Sequence, residues 1–350
     1  MRRGLALGGA LLLLGLLVGC QGLNRSATTE GLQGRIAWPK DGDLWVIDLS
    51  SKQQRKITQL GQGAVVTGAS WSPDGKRVVY AQFWRRPNER VSGSDLFVAN
   101  PDGSDARPFA ERDAPSTVYD GPVWAASGRV YYTVRKVQNG REAQSIVRQT
   151  EGGTPELVVD NGYSPAVSPD ESTLIYVRTT RLAQALWKKT IGQPGEGCEL
   201  LSDQVFLALN GARFSPDGTR LALGGSGEPS PQPPPSGCGG DNRATPGAAG
   251  PPSSPGLDLL AWLSPGASVA EAASAQHGQP WDIWSLGLDG SGLTKLADLK
   301  DDEPTVAWSP DGSRLAIFGG LGGLNLVDGR GGQPQKLVDQ GGYGGLDWTR

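Results

Sequence analysis

The sequence contains few of the residues that catalytic and metal-binding sites use most. It has one histidine, His277, and three cysteines in 350 residues. A histidine-based triad and a multi-histidine metal site are therefore excluded. The sequence also lacks a GxxxxGK[ST] phosphate loop, a GxSxG nucleophile elbow and a CxxC pair. The formal net charge of −3 argues against a dedicated nucleic-acid binder.

Long apolar runs are also scarce, and the one that exists lies at the N-terminus. Arg2 and Arg3 precede an apolar run from Leu5 to Val18, which is short for a membrane-spanning helix of about 20 residues and suits the core of a signal peptide. The run ends in LVGC, which resembles the lipobox of bacterial lipoproteins. That resemblance implies cleavage after residue 19 and a lipid on Cys20; an uncleaved anchor and an ordinary secretion signal are the alternatives. Residues 20–33 are then a polar, flexible tether.

A five-residue pattern is present in four copies. It reads WSPDG at 71–75 and 308–312, FSPDG at 214–218 and VSPDE at 167–171. Proline presets the φ angle of a turn, aspartate suits the second central position, and glycine accepts the left-handed conformation that closes it. Each copy therefore predicts a tight turn between two antiparallel strands, and Glu171 in place of glycine is a misfit that costs about 1 kcal/mol.

The residues just before these turns count the structural units. The marks are residues 71, 124, 167, 214, 308 and 348, at intervals of 53, 43, 47, 94 and 40. Four-stranded propeller blades recur at about this period, so the interval of 94 indicates one blade plus an insertion. The first unit lacks its innermost strand, and the last mark, Trp348, has no strand after it. We predict that GLDW (345–348) completes the first blade, which gives a closed all-β propeller of six four-stranded blades over residues 34–350.

WSPDG followed by DLFVANPDGS (95–104) is similar to the WD40-like repeat of the TolB-type β-propellers. The resemblance covers nearly all of residues 34–350 and implies the propeller fold. The same repeat builds periplasmic TolB, the propellers of some peptidases and many envelope proteins. By resemblance, the partner would be an envelope protein, as the peptidoglycan-associated lipoprotein is for TolB. TolB carries an α/β domain ahead of its propeller, and only a short polar stretch stands there in this sequence.

The abundant tryptophans and glycines fit such a fold. Trp71, Trp124, Trp308 and Trp348 share one repeat position, where flat apolar rings can fill the gap between neighbouring sheets, so we interpret them as packing residues. Glycine accounts for 52 of 350 residues, as expected for a fold that needs several turns in every blade.

The long interval in the fifth blade contains a Pro/Gly/Ser-rich insertion, 225–278, most of which we expect to be disordered. Its LDLLAWL segment (257–263) could dock on a partner or pack back on the propeller. If Cys20 carries lipid, Cys198 and Cys238 remain and could pair. Cys198 begins an outer strand, however, on the face opposite to the insertion, so both outcomes stay open.

Charge is placed unevenly. We label the strands of a blade a to d from the centre outward. The b–c loops of blades two to four are rich in Arg and Lys, and Phe83 and Trp84 stand next to Arg85 and Arg86, a combination typical of interface hot spots. We predict that this face binds a partner through Phe83, Trp84, Arg85, Arg86, Arg135, Lys136, Arg141 and Arg178. The alternative is an ordinary solvated loop.

Carboxylates are the remaining catalytic candidates. Some propeller enzymes work from acidic residues around the axial channel, and Asp120, Asp160, Asp302 and Glu303 lie in segments that lead into strand a. These acids could meet at the channel mouth, although such residues are more often turn formers. The sequence therefore favours a monomeric, lipid-anchored, extracytoplasmic scaffold that binds an envelope protein or glycan and uses no cofactor. The alternative is a carbohydrate- or peptide-active enzyme.

Overall fold

A computed structural model describes residues 31–138, 141–180, 184–230 and 280–350. The strands of these residues form six antiparallel sheets, one for each blade. The first three blades contain β1 (Arg35–Lys40), β2 (Asp43–Asp48) and β3 (Gln54–Lys56); β4 (Val65–Trp71), β5 (Val78–Trp84), β6 (Gly93–Ala99) and β7 (Arg107–Ala110); and β8 (Val118–Trp124), β9 (Val130–Gln138), β10 (Arg141–Gln149) and β11 (Glu156–Asp160).

The other three blades follow the same order from the channel outward. They contain β12 (Tyr163–Val167), β13 (Thr173–Thr179), β14 (Gln184–Thr190) and β15 (Cys198–Leu201); β16 (Ala208–Leu209), β17 (Arg213–Phe214), β18 (Arg220–Ser226), β19 (Trp281–Gly287) and β20 (Thr294–Asp301); and β21 (Thr305–Trp308), β22 (Arg314–Gly319), β23 (Gly323–Asp328) and β24 (Gln335–Val338). The last strand, β25 (Asp347–Thr349), returns to blade 1. The all-β fold predicted from the repeats is confirmed.

The ring closes through the strand that the sequence assigns to it. Strand β25 pairs with β1 in antiparallel register, with Ile36 opposite Trp348 and Ala37 opposite Asp347. The Trp348 side chain is buried in one cluster with Ile36 and with apolar residues of blade 6. The C-terminus therefore completes the N-terminal blade and also seals it against its neighbour.

The four SPDG-type turns adopt one geometry. In the first, Gly75 N donates to Ser72 O at 2.8 Å, Ser72 Oγ donates to Asp74 Oδ1 at 2.7 Å, and Gly75 has a φ of 66°. Glu171 takes the glycine position in blade 4 with a φ of 56°, as a strained non-glycine residue. We call the face that carries the a–b and c–d turns the turn face, and the opposite face, with the b–c loops and the d–a connections, the b–c face.

The repeated tryptophans pack between blades, as predicted. Trp71 and Trp124 are buried, each in a cluster that includes residues of the preceding blade. An arginine of the preceding blade also covers each ring: Arg35 Cζ lies 4.7 Å from the Trp71 ring centroid, and Arg77 Cζ lies 4.9 Å from that of Trp124. These two seams therefore combine apolar burial with a cation–π contact.

Blade 5 departs from the regular pattern. Its innermost strand is split into β16 and β17, and Asn210 between them donates its backbone N–H to Gly224 O at 3.0 Å. Strand β18 continues to Ser226, so the first residues assigned to the insertion are in fact strand. The disorder predicted for the insertion falls mainly on residues outside the described ranges, as does LDLLAWL. Among the residues that the structure describes, no helix is long and apolar enough to cross a membrane.

Candidate functional site

The predicted hot spot of blade 2 is tied into the protein itself. Phe83 and Trp84 are the last residues of β5 and are half-buried. Trp84 Nε1 donates to Asp95 Oδ2 at 2.7 Å, and Arg86 Nη2 lies 2.6 Å from Asp95 Oδ1. Arg112, from the connection to blade 3, pairs with the same carboxylate at 2.7 Å. The Trp84 and Arg86 side chains thus serve an internal ion network.

This network fixes the b–c loop of blade 2. The side chains of Arg112 and Asp95 have exposures of 0% and 1%, and Glu89 binds Arg112 from the loop side. Breaking a buried pair by removing one partner typically costs about 3–5 kcal/mol. Arg85 and Arg90, by contrast, are exposed and lie on a loop that is held in place.

The other predicted cations also have partners. Arg135 Nη2 lies 3.6 Å from Asp120 Oδ2, and Lys136 pairs with Asp113. Arg178 lies in strand β13 and not in a loop; its guanidinium covers the Trp187 ring and pairs with Glu196 at 2.6 Å. The loop sequences alone therefore overstate the basic charge of this face, because d–a connections and neighbouring strands supply acids. Arg141 begins β10, and its side chain lies outside the described residues.

Exposed apolar side chains concentrate on the b–c face. Among the described residues, the large hydrophobic side chains with high exposure are Val137 (47%), Leu157 (60%), Leu207 (66%), Leu321 (72%) and Tyr343 (47%). Leu157 lies on the outer strand β11. Val137 lies near the end of strand β9, and the other three lie in b–c or d–a segments of blades 5 and 6 or their connections. Sequence reasoning missed this group, because single apolar residues in loops carry no pattern.

The predicted channel-mouth acids are spread over different surroundings. Asp120 lies within β8 and accepts a hydrogen bond from Thr67 Oγ1 at 3.2 Å. Asp302 is buried and accepts one from Tyr343 at 2.7 Å, whereas Asp160 is exposed at the end of β11 and Glu303 is half-buried. Among the described residues, no group of three His, Cys, Asp or Glu side chains could hold a metal ion.

The channel itself holds two charged residues that the sequence analysis did not single out. Arg213 and Asp347 each stand one residue before a repeat mark, on the innermost strands of blades 5 and 1. Asp347 Oδ2 accepts hydrogen bonds from Ser70 Oγ at 2.9 Å and Trp71 N at 2.8 Å. Burial raises the pKa of Asp347, and burial lowers the pKa of Arg213, which Asp347 and Asp120 partly restore.

Cys198 takes part in a disulfide bond. It begins β15 and is half-buried. Its partner lies outside the described residues, so the proposed pairing with Cys238 remains a prediction, as does the lipid on Cys20.

Six antiparallel blades around a central channel, closed by the C-terminal strand, define a six-bladed β-propeller. The chain has the fold of TolB. TolB from Acinetobacter baumannii superimposes with a TM-score of 0.57 at 13% identity, over 90% of this chain and 66% of that one. A putative TolB from Agrobacterium tumefaciens gives 0.55 at 16% identity over 91% and 98%, and a chain of a nidogen/laminin complex gives 0.59 at 11% over 90% and 97%. No family model and no curated protein sequence matches the chain.

Proposed function

We propose that this propeller is an extracytoplasmic, non-enzymatic binding scaffold, tethered through a lipid on Cys20, which presents its b–c face to an envelope protein. The fold shared with TolB supports a scaffold role in general. The choice of the b–c face rests on the distribution of exposed apolar side chains among the described residues, described above.

The two faces differ in what they offer a partner. On the turn face, the Ser and Asp side chains of the SPDG turns bond to one another and to nearby backbone N–H groups, as Ser309 Oγ does with Asp311 at 2.6 Å and Ser313 N with Asp311 at 3.0 Å. On the b–c face, Leu207, Leu321 and Tyr343 project apolar surface, and Arg85 and Arg90 are exposed at blade 2. Apolar anchors with exposed arginines nearby are typical of protein interfaces.

The proposal is tested by photo-cross-linking in intact cells. A photoreactive amino acid at position 321 should capture a partner that mass spectrometry identifies, and the same amino acid at position 157 is the matched control, because Leu157 is equally exposed but lies on an outer strand. We expect Leu207→Ser combined with Leu321→Ser to weaken binding of the identified partner at least tenfold. Leu157→Ser should leave it unchanged. Equal capture from positions 157 and 321 would contradict the choice of face.

Charge at the same face is tested separately. Arg85→Ser with Arg90→Ser should slow association and reduce its salt dependence, because rim charges act mainly on the encounter rate. Arg330→Ser, an exposed arginine of the turn face, is the control. Substitution of Arg86 or Lys136 is unsuitable for this purpose, since each pairs with an acid of the propeller and its loss would also change stability.

The lipid anchor has its own experiment. Cells grown with an alkyne-labelled fatty acid should incorporate the label into the wild-type protein, and Cys20→Ser should abolish incorporation and release the protein from the membrane fraction. Cys198→Ser is the control. Retained label in Cys20→Ser would exclude the lipidation site.

A further inference from the structure

A cation in the central channel has unused hydrogen-bond donors. Arg213 Nη1 donates to the carbonyl of its neighbour Ala212 at 2.9 Å, and within the described residues no carboxylate oxygen lies within 4.0 Å of its guanidinium. Arg112, the other deeply placed arginine discussed above, pairs directly with two carboxylates. Arg213 is half-buried, and a partly desolvated cation without a direct ion pair contributes little to stability, so its position calls for another explanation.

The nearest acids are already engaged. Asp347 accepts three hydrogen bonds, from Ser70 Oγ, Trp71 N and Trp348 N. Asp120 accepts one from Thr67 and faces Arg135. Both carboxylates favour the charged form of Arg213 at longer range without saturating its five N–H donors.

The guanidinium of Arg213 and a serine hydroxyl flank the same glycine, Gly211. The residues three positions before the repeat marks form a collar of small side chains around the channel: Gly68, Gly121, Ser164, Gly211, Thr305 and Gly345. Ser164 has a φ of 51°, a left-handed conformation that glycine would adopt without strain. Its Oγ makes no hydrogen bond within the described residues, and a Cβ placed on Gly211 would lie 3.4 Å from Ser164 Oγ and 3.7 Å from Arg213 Nη1. Ser164, in its strained conformation, and Arg213 therefore supply two hydrogen-bond donors on either side of Gly211.

We propose that Arg213 and Ser164 bind a carboxylate group inside the central channel. The planar guanidinium matches a carboxylate with two parallel hydrogen bonds, and the Ser164 hydroxyl supplies a further donor. Gly211 and Gly345 place no side chain against the guanidinium, although a Cβ at either position would lie 3.7 Å from one of its nitrogens. Asp347 and Asp120 disfavour a doubly charged anion at this place, so the site selects a monoanion over a phosphate dianion.

The strands also restrict the size of the ligand. Gly68 and Gly345, on the innermost strands of blades 2 and 1, form a parallel bridge, in which Gly345 N donates to Thr67 O at 3.0 Å. Between blades 1 and 2, the channel wall is therefore continuous backbone at this level. A small acid, or the terminal carboxylate of a thin chain, fits this description better than a bulky ring.

Thermal unfolding of the full chain in detergent, with added sodium acetate, tests the site. Binding to the folded state alone raises the Tm by mass action, by about 5 °C at a concentration about one hundred times the Kd. We expect acetate, but not chloride at equal ionic strength, to raise the Tm of the wild type. The rise should be absent in Arg213→Gln and preserved in Arg330→Gln, whose arginine lies on the turn face. An equal rise in the wild type and Arg213→Gln would overturn the proposal, and so would no rise with any carboxylate.

Ser164→Gly separates binding from folding. This substitution removes the left-handed strain, so the Tm without ligand should be unchanged or higher, whereas the acetate-dependent rise should fall by at least half. If Arg213→Gln does not fold, the Ser164→Gly variant serves as the test of binding. A full acetate-dependent rise in Ser164→Gly would exclude the hydroxyl as a donor and contradict the two-residue site.

The source of the carboxylate is distinguished by a peptide pair. Triglycine with a free C-terminus and triglycine amide differ only in the group that the site recognises. A rise with free triglycine alone, lost in Arg213→Gln, indicates a peptide terminus. A rise with acetate as well indicates a small free acid. Equal effects of triglycine and its amide, with none from acetate, would overturn the proposal.

Discussion

Two neighbouring interfaces between blades, or seams, are held together by different contacts. Between blades 2 and 3, Trp124 is buried under Arg77, which also pairs with Glu151 at 2.5 Å. Between blades 3 and 4 the mark is Val167, and no ring is available for the equivalent Arg129. There the Glu171 carboxylate accepts a hydrogen bond from Tyr131 at 2.8 Å and faces Arg129 at 3.7 Å.

The two seams differ at two positions of the repeat. With valine at the mark of blade 4, Arg129 has no tryptophan ring to cover, and Glu171, at the position of the turn glycine, supplies a charge instead. Glu171 does adopt the left-handed conformation, and we expect the contacts of its carboxylate to offset the strain. We call these the tryptophan seam and the glutamate seam, and the predictions below test the difference between them.

The largest expected effect is that of deleting the tryptophan. Trp124→Ala should lower the free energy of unfolding by about 3–5 kcal/mol, because it leaves a cavity between two sheets. Val167→Ala removes two methyl groups from a half-buried position and should cost about 1.5 kcal/mol or less. Urea unfolding followed by tryptophan fluorescence and by circular dichroism measures both. Equal losses would show that the glutamate seam relies on apolar packing as well.

A double-mutant cycle isolates the glutamate. Glu171→Gly removes the left-handed strain and also the contact with Tyr131, so its net effect on stability should lie within about 1 kcal/mol of zero. In a Tyr131→Phe background the contact is already lost, and the same change should stabilise the protein. We expect a coupling energy of about 1 kcal/mol between the two positions. Additive effects would mean that the hydrogen bond does not offset the strain.

Salt should distinguish the two arginine contacts. Arg220 covers Trp308 at 5.0 Å and makes no ion pair within the described residues, whereas Arg129 faces Glu171 with 44% of its side chain exposed. Arg220→Gln and Arg129→Gln should each cost about 0.5–1 kcal/mol in low salt. Only the cost of Arg129→Gln should shrink in 1 M NaCl, because screening weakens exposed ion pairs. The same salt response in both variants would contradict the assignment.

Lowering the pH should slightly reduce the stability that the a–b turn of the glutamate seam contributes. Hydrogen bonds from Ser168 and from Ser172 lower the pKa of Asp170 to about 2. A carboxylate with a lowered pKa in the folded state contributes stability above its unfolded pKa of about 3.8, and this contribution is lost as the pH falls towards 2. Asp170→Asn should flatten the stability profile between about pH 4 and pH 2. An unchanged profile in Asp170→Asn would contradict this role of Asp170.

The fold could be predicted because its determinants are local and repeated. Turn chemistry depends on three adjacent residues, so SPDG marks its turn wherever it occurs. Ring closure followed from two complementary defects, a first blade without its inner strand and a last mark without a following strand. Once the repeat period was known, Trp71 and Trp124 could be assigned to packing, because a ring at that repeat position must lie against a neighbouring sheet.

The surfaces were harder to predict because their chemistry depends on residues far apart in the sequence. The cations of the b–c loops seemed free in the sequence, yet Asp95, Asp113 and Asp120 neutralise several of them from other segments. The repeat alignment did contain a signal for the channel residues Arg213, Asp347 and Ser164, which the sequence analysis did not use. Alignment of the six marks places Arg213 and Asp347 in one column and Ser164 among glycines in another, and a charged or strained exception in such a column points to the channel.

The pairing of β25 with β1 also has a consequence for folding kinetics. Arg35 lies opposite Thr349, so the contact that locks the ring joins the two most distant described strands of the chain, and it cannot form before the C-terminal strand is available. Contacts of such large sequence separation slow folding. During vectorial synthesis, the edge of β1 that pairs with β25 would stay unpaired until the C-terminal strand is made, and aggregation, or protection by a chaperone, would be decided in that interval.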